Sequence, residues 1–196
     1  SDPGSKIYAG LSRQLTPELY GRMVAEGTFA DALAAHDSAA GDIFFLPAGR
    51  VHAIGAGNLL AEIQESSDIT YRIFDYNRRD AAGNTRELHT ELAKDAIDYT
   101  VRDDYKSAPA DPTVKDAGIV KCSHFDVRRI LSSDGDGMEL HTDPSSFTVI
   151  MCLDGEATVT APEGSVTLRK GHSILLPATA GTVEIKGTAT LLTAQA

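Results

Sequence analysis

Everything after Gly118 follows one rhythm, and that rhythm leaves the chain few folds to choose from. GIVKCSHFDVRRILS, SFTVIMCLDGEATVTAP, GSVTLRK, HSILLPAT, GTVEIKG and TATLLTA follow one another as short runs of β-branched and apolar residues broken by turn formers. Runs of this kind at this spacing read as strands of an antiparallel sandwich or barrel. The segments DGE, PEG, RKG and IKG each carry a glycine, at 155, 164, 171 and 187, and a hairpin turn is expected at each. Residues 119–196 are therefore expected to form a complete small β-barrel.

The earlier part of the chain is more mixed. Residues 16–39, TPELYGRMVAEGTFADALAAHDSA, have Thr16 and Thr28 as N-cap candidates, with Leu19, Met23, Phe29 and Leu33 at helical spacing and Gly27 as a break. A pair of short helices is expected there. From Gly41 the pattern becomes strand-like, in DIFFLP, LLAEIQES and ITYRIFDY, with GAGN as a turn between the first two. RELHTELAKDAIDY then reads as a short helix capped by Thr90, with Leu92, Ala93, Ala96 and Ile97 facing inward. The stretch 105–118, YKSAPADPTVKDAG, has two prolines and no periodicity, and reads as a linker.

Composition excludes some functions. The 196 residues carry a net charge of −10, which disfavours binding to nucleic acid or to an anionic membrane surface. Against that background Arg72, Arg78, Arg79 and Arg86 crowd into fifteen residues, so a local basic pocket is possible. Cys122 and Cys152 lie in apolar surroundings without metal-ligand spacing and read as buried thiols. No apolar run is long enough to span a bilayer and the first residues lack a signal-peptide pattern, so a cytoplasmic location is expected.

One phrase carries chemistry. Gly41, Pro47, Gly49 and His52 are spaced as G-x5-P-x-G-x2-H. A strand ending at a proline, turned by a glycine, brings the histidine back toward an interior, where a neutral imidazole can ligate zinc. The spacing resembles the second conserved motif of the cupin jelly-roll barrels, in which this histidine lines the barrel mouth and binds a divalent metal. The usual closing Asn of that motif is Ala56 here. The phrase recurs as Gly171 and Pro177, followed by Ala178, Thr179 and Ala180, and this second copy has no histidine to offer. His172 reads as a surface strand residue, and His36, His124 and His141 have no ligand spacing.

PAGRVHA, EIQESSDITYR and DYNRRDAAGNTRELH, within residues 41–89, together resemble the class I mannose-6-phosphate isomerases in their short bacterial form. The resemblance implies a mainly β fold, a double-stranded β-helix (cupin jelly roll), with a partial first barrel, a complete second barrel and a few short helices. Residues 1–40 would be the end of a helical insertion, 41–104 the C-terminal part of the catalytic cupin, 105–118 the linker and 119–196 a metal-free jelly roll. It further implies a zinc-dependent aldose–ketose isomerase acting on a small sugar phosphate through an enediol. In that family His52 would be a metal ligand, Arg72 the arginine flanking the reacting carbons, Glu62 an active-site carboxylate and Arg78 a substrate-phosphate contact.

Plainer roles remain open for the same residues. Arg72 can be a solvated strand residue, Glu62 its salt-bridge partner, and Arg86, Glu87 and His89 can hold a turn. A zinc site takes three or four protein ligands, and residues 1–40 contain no H-x-H or Q-x-H pair. The expectation is that the chain begins within the catalytic domain, has its other ligands upstream, and is inactive alone. The alternative is a non-catalytic cupin that binds a sugar phosphate or another anion.

Overall fold

A computed structural model describes residues 1–66, 69–75, 78–135 and 137–196. The chain divides into two compact units, Ser1–Ala108 and Pro109–Ala196. The division falls inside the stretch read as a linker.

The second unit is an antiparallel jelly roll. Its strands, numbered in chain order, are β4 (Asp116–Lys121), β5 (Asp126–Ser132), β6 (Met138–His141), β7 (Thr148–Ala161), β8 (Gly164–Arg169), β9 (Ser173–Leu176) and β10 (Thr182–Gln195). They hydrogen-bond in the order β4-β5-β10-β7-β8, with β6 also on β10 and β9 also on β7. The two long strands make the architecture. β10 pairs with β7 along its length, yet its first residues take β6 as second partner and its last residues take β5. β7 divides in the same way between β9 and β8.

Here the expected turns need correcting. PEG and RKG do turn the chain, but DGE and IKG lie inside β7 and β10. Their glycines bend continuous strands. A Cβ on Gly155 would lie 2.1 Å from the Thr188 carbonyl oxygen, and one on Gly187 would lie 2.5 Å from that of Glu156. Missing Cβ atoms let the two backbones close on each other at the bend, a use of glycine that a sequence pattern does not distinguish from a turn. Ile130, Ile150, Cys152, Val159, Leu168, Val183, Ile185 and Leu191 fill the interior. Cys152 is buried and Cys122 half-buried, both as free thiols.

The first unit contains β1 (Lys6–Leu11), α1 (Pro17–Glu26), a 3-10 turn (Phe29–Ala32), β2 (Leu33–Asp37), β3 (His52–Ile54) and α2 (Thr90–Ala96). Its sheet is three-stranded and antiparallel in the order β2-β1-β3. Leu11, Leu15, Tyr20, Met23, Phe29, Ala32 and Ala93 form the core, with Tyr20 meeting Phe29 edge to face at 5.0 Å.

Sequence and structure agree on α1. Thr16 accepts from the Leu19 amide at 3.2 Å, and Gly27 closes the helix in the left-handed region at φ 72°. The second expected helix is instead a single 3-10 turn running into β2. Thr28 makes no side-chain cap, and Leu33 and Ala35 pair across the ladder with Leu11 and Tyr8. Thr90 opens α2 without capping it, because His89 occupies the cap position. Leu92 is 56% exposed, so of that face Ala93 carries the burial.

DIFFLP, LLAEIQES and ITYRIFDY do not form ladder strands among the described residues; Ser67, Asp68 and Tyr76 of this region lie outside them. An isolated bridge from Ile43 to Ser107 is what DIFFLP retains. Apolar alternation creates a strand only where a neighbour accepts its hydrogen bonds. Among the described residues these segments do not extend into a ladder, and Leu59 is left 88% exposed.

Candidate active site

The turn before His52 is built from its sequence. The Arg50 amide donates to the Pro47 carbonyl at 3.1 Å, with Gly49 at φ 83° in the third position, the arrangement of a type II turn. Gly49 is required twice over: a Cβ there would also stand 2.6 Å from the Ala96 carbonyl oxygen at the end of α2. The Asp98 amide then donates to the Gly49 carbonyl at 2.9 Å, which fastens α2 to the turn.

Beyond the turn, Val51 packs against the core of the first unit, while His52 is exposed. The His52 Nδ1 lies 3.1 Å from the Arg50 carbonyl oxygen. A carbonyl can only accept, so Nδ1 carries the proton and Nε2 keeps the lone pair a metal would use. Arg50 is itself fixed. Its guanidinium donates to the Phe45 carbonyl at 2.9 Å and stacks 5.2 Å above the ring of Tyr105. Tyr105, 3% exposed, lies in the segment read as linker, and its hydroxyl accepts from the amides of Leu11 at 3.2 Å and Arg102 at 2.9 Å. Two residues after Ala56 the chain places an asparagine. Asn58 donates to the carbonyls of Lys6 at 3.0 Å and Gly55 at 2.9 Å, tying down the far end of β3.

The arginine run is organised around one carboxylate. Asp80 folds its segment back on itself: its Oδ1 accepts from the amides of Ala82 and Asn84, each at 2.9 Å, and Arg79 bridges to Thr85. That turn returns Arg86 to Asp75, which is buried at 6% exposure. Arg78 donates to Asp75 Oδ1, and Arg86 Nε stands 3.9 Å from Oδ2, which has no hydrogen-bond partner among the described residues. The hydrogen bond from Arg78 holds the Asp75 carboxyl below its ordinary range; burial opposes this, and the charges of Arg78, Arg86 and Arg72 reinforce it.

Arg72 is held by its backbone. Its amide donates to His89 Nδ1 at 3.2 Å, and the His89 amide donates to the Arg72 carbonyl at 2.7 Å. Ile73 beside it packs into the same core as Val51. Its guanidinium makes no salt bridge among the described residues and meets Asp75 at longer range. Arg72 and the His52 turn are thus fastened to opposite ends of α2, which is about 10 Å long at 1.5 Å per residue.

Of the residues selected from sequence, Arg72 and Arg78 belong to this cluster. Arg78 spends hydrogen bonding on Asp75, which the spacing did not foretell. Glu62 is exposed and makes no salt bridge with Arg72 among the described residues, so the simple pairing of the two is not seen. Asp75, Asn58 and Tyr105 were not singled out, and His89 was named only as a residue that can hold a turn. For Asp75 a signal existed: an acid three residues before an arginine, inside a basic run. Among the described residues no group of three or more His, Cys, Asp or Glu side chains converges, so His52 does not form a site with this chain's own described residues.

Comparison with known proteins follows the same line. Residues 120–195 match the family model described as "Mannose-6-phosphate isomerase, cupin domain". The chain is 31% identical over 180 residues to mannose-6-phosphate isomerase ManA of Bacillus subtilis, covering 88% of this chain and 54% of that protein. It is 32% identical over 186 residues to mannose-6-phosphate isomerase of Streptococcus mutans, covering 91% of this chain and 56% of that protein. The crystal structure of the Bacillus subtilis mannose 6-phosphate isomerase superposes with a TM-score of 0.85 at 27% identity, over 98% of this chain and 61% of the other. A putative mannosephosphate isomerase from Archaeoglobus fulgidus shares the fold at a TM-score of 0.67 and 15% identity. The chain spans about half the length of the curated relatives it matches. Residues 120–195 thus carry the cupin domain of the mannose-6-phosphate isomerases, and over most of its length the chain is similar to short bacterial members of that family.

Proposed function

We propose that this chain contributes to an isomerase interconverting mannose 6-phosphate and fructose 6-phosphate through an enediol. The supporting observation is the pair of anchors in one core. Val51 and Ile73 both pack there, so the adjacent His52 and Arg72 are held on a common scaffold with α2 between them. Aldose–ketose exchange moves a proton between neighbouring carbons, and needs a base, a cation for the developing oxyanion and an anchor for the phosphate. Arg72 stays protonated throughout and is the cation proposed to face the enediolate. Glu62, exposed and without a salt bridge among the described residues, is the proposed base or orienting carboxylate. Arg78, with Arg86 beside it, supplies positive charge for the phosphate while Asp75 fixes its direction.

Zinc, where present, would supply Lewis-acid polarisation of the sugar oxygens. His52 is the proposed contribution of this chain to its ligands, with its Nδ1 held by the Arg50 carbonyl, and a complete ligand set would need further donors. The phosphorylated substrates suit a cytoplasmic enzyme. Among the described residues no helix is long and apolar enough to cross a membrane.

The test is a coupled assay for fructose 6-phosphate, run on the chain alone and together with polypeptide matching the remainder of a relative. Turnover in the combined sample, lost in Arg72→Ala, is the expected result. Tight mannose 6-phosphate binding without turnover or metal in either sample would instead identify a non-catalytic sugar-phosphate cupin.

A further inference from the structure

We propose that His89 is a positioning residue that fixes Arg72 for anion contact, an inference that rests on the reading of Arg72 as the cation facing the sugar phosphate. His89 stands at the cap position of α2, where a short side-chain oxygen would ordinarily accept from the first turn, and its ring makes no such cap. The ring turns away instead and accepts from the Arg72 amide at 3.2 Å, while its own amide donates to the Arg72 carbonyl at 2.7 Å. Both backbone groups of one residue are therefore held by one partner. Tyr71 lies with its ring 6.1 Å from the imidazole, and Ile73 is anchored in the core, so the residues on either side of Arg72 are restrained as well.

This arrangement restrains the backbone of Arg72, whose guanidinium makes no hydrogen bond or salt bridge among the described residues, whereas Arg78 is hydrogen-bonded to Asp75. A cation whose base is fixed and whose tip is unpaired loses less freedom when it meets an anion. Because the far end of α2 holds the Gly49 turn, the same clasp sets Arg72 relative to the strand carrying His52.

The test compares His89→Ser and His89→Asn with the parent 196-residue chain. Serine suits the cap of α2 but is too short to reach the Arg72 amide, and asparagine carries an acceptor oxygen near the position of Nδ1. Amide exchange by NMR and titration with mannose 6-phosphate are read together. In His89→Ser the α2 amides are expected to keep their protection, the Arg72 amide to exchange about tenfold faster, and mannose 6-phosphate to bind about fivefold more weakly. His89→Asn is expected to return both to near the parent values. Unchanged Arg72 exchange in His89→Ser, or faster exchange with unchanged affinity, overturns the proposal. A parent chain that binds no mannose 6-phosphate at millimolar concentration overturns the reading of Arg72 itself, and amide exchange alone then decides whether the clasp exists in solution.

Discussion

Asp75 shows how much one buried side chain can organise. Its carboxylate takes a hydrogen bond from Arg78 and has Arg86 and Arg72 around it, so its ionised form is favoured. A carboxyl held below its usual range contributes stability above the unfolded-state value of about 4, and that contribution is lost as pH falls through the lower, folded-state value. Asp75→Asn should therefore lower the thermal midpoint more at pH 7 than near pH 3; equal effects at both pH values would contradict this role. Gly49 is a second such position. Gly49→Ala places a Cβ against the Ala96 carbonyl and forces alanine to φ 83°, a change expected to cost about 1–3 kcal/mol in denaturant unfolding. The glycine was legible in sequence as a turn former. Its second duty, making room for α2, was not, because nothing local records which distant carbonyl approaches.

The elements separate what periodicity can tell from what it cannot. α1 was readable because all its determinants are local: Thr16 as cap, Pro17 in the first turn, Gly27 as stop. Thr16→Ala should cost about 1 kcal/mol, measured by urea unfolding, since Leu19 then loses its acceptor. The corresponding Thr28→Ala should cost less, because Thr28 makes no cap. Strand expectations fared differently in the two units. In residues 119–196 the apolar runs find partners in the same unit and the barrel forms. Between Gly41 and Asp75 similar runs form no ladder among the described residues apart from β3. DGE and IKG failed for another reason: a glycine that bends a strand against its neighbour looks, from the sequence, like one that reverses it. At the candidate site, His52 and the arginines were visible as a motif and a charge cluster. His89 was visible only as a turn residue, because its contact is with Arg72, seventeen residues earlier.

At the scale of the molecule the two units differ in how completely they satisfy themselves. In Pro109–Ala196 every long strand has partners on both sides and the apolar residues converge on one interior. Ser1–Ala108 has a three-stranded sheet, with β2 and β3 at its edges, and Ile54, Leu59, Leu60 and Leu92 are exposed at 46%, 88%, 44% and 56%. An unpaired strand edge beside exposed apolar side chains is a surface that gains from a partner. The second unit is compact and has a core of its own, which is the condition for folding alone. Expressed separately, Pro109–Ala196 should therefore unfold in one cooperative transition and give dispersed amide resonances, while Ser1–Ala108 should bind a dye for exposed apolar surface and associate with rising concentration. The thiols give an independent check on the same unit. Burial pushes the Cys152 thiol up, so in the isolated second unit it should resist alkylation at pH 8 until the protein unfolds, with half-buried Cys122 reacting first. Rapid labelling of Cys152 in the native fragment would mean that the barrel interior depends on contacts from the rest of the chain.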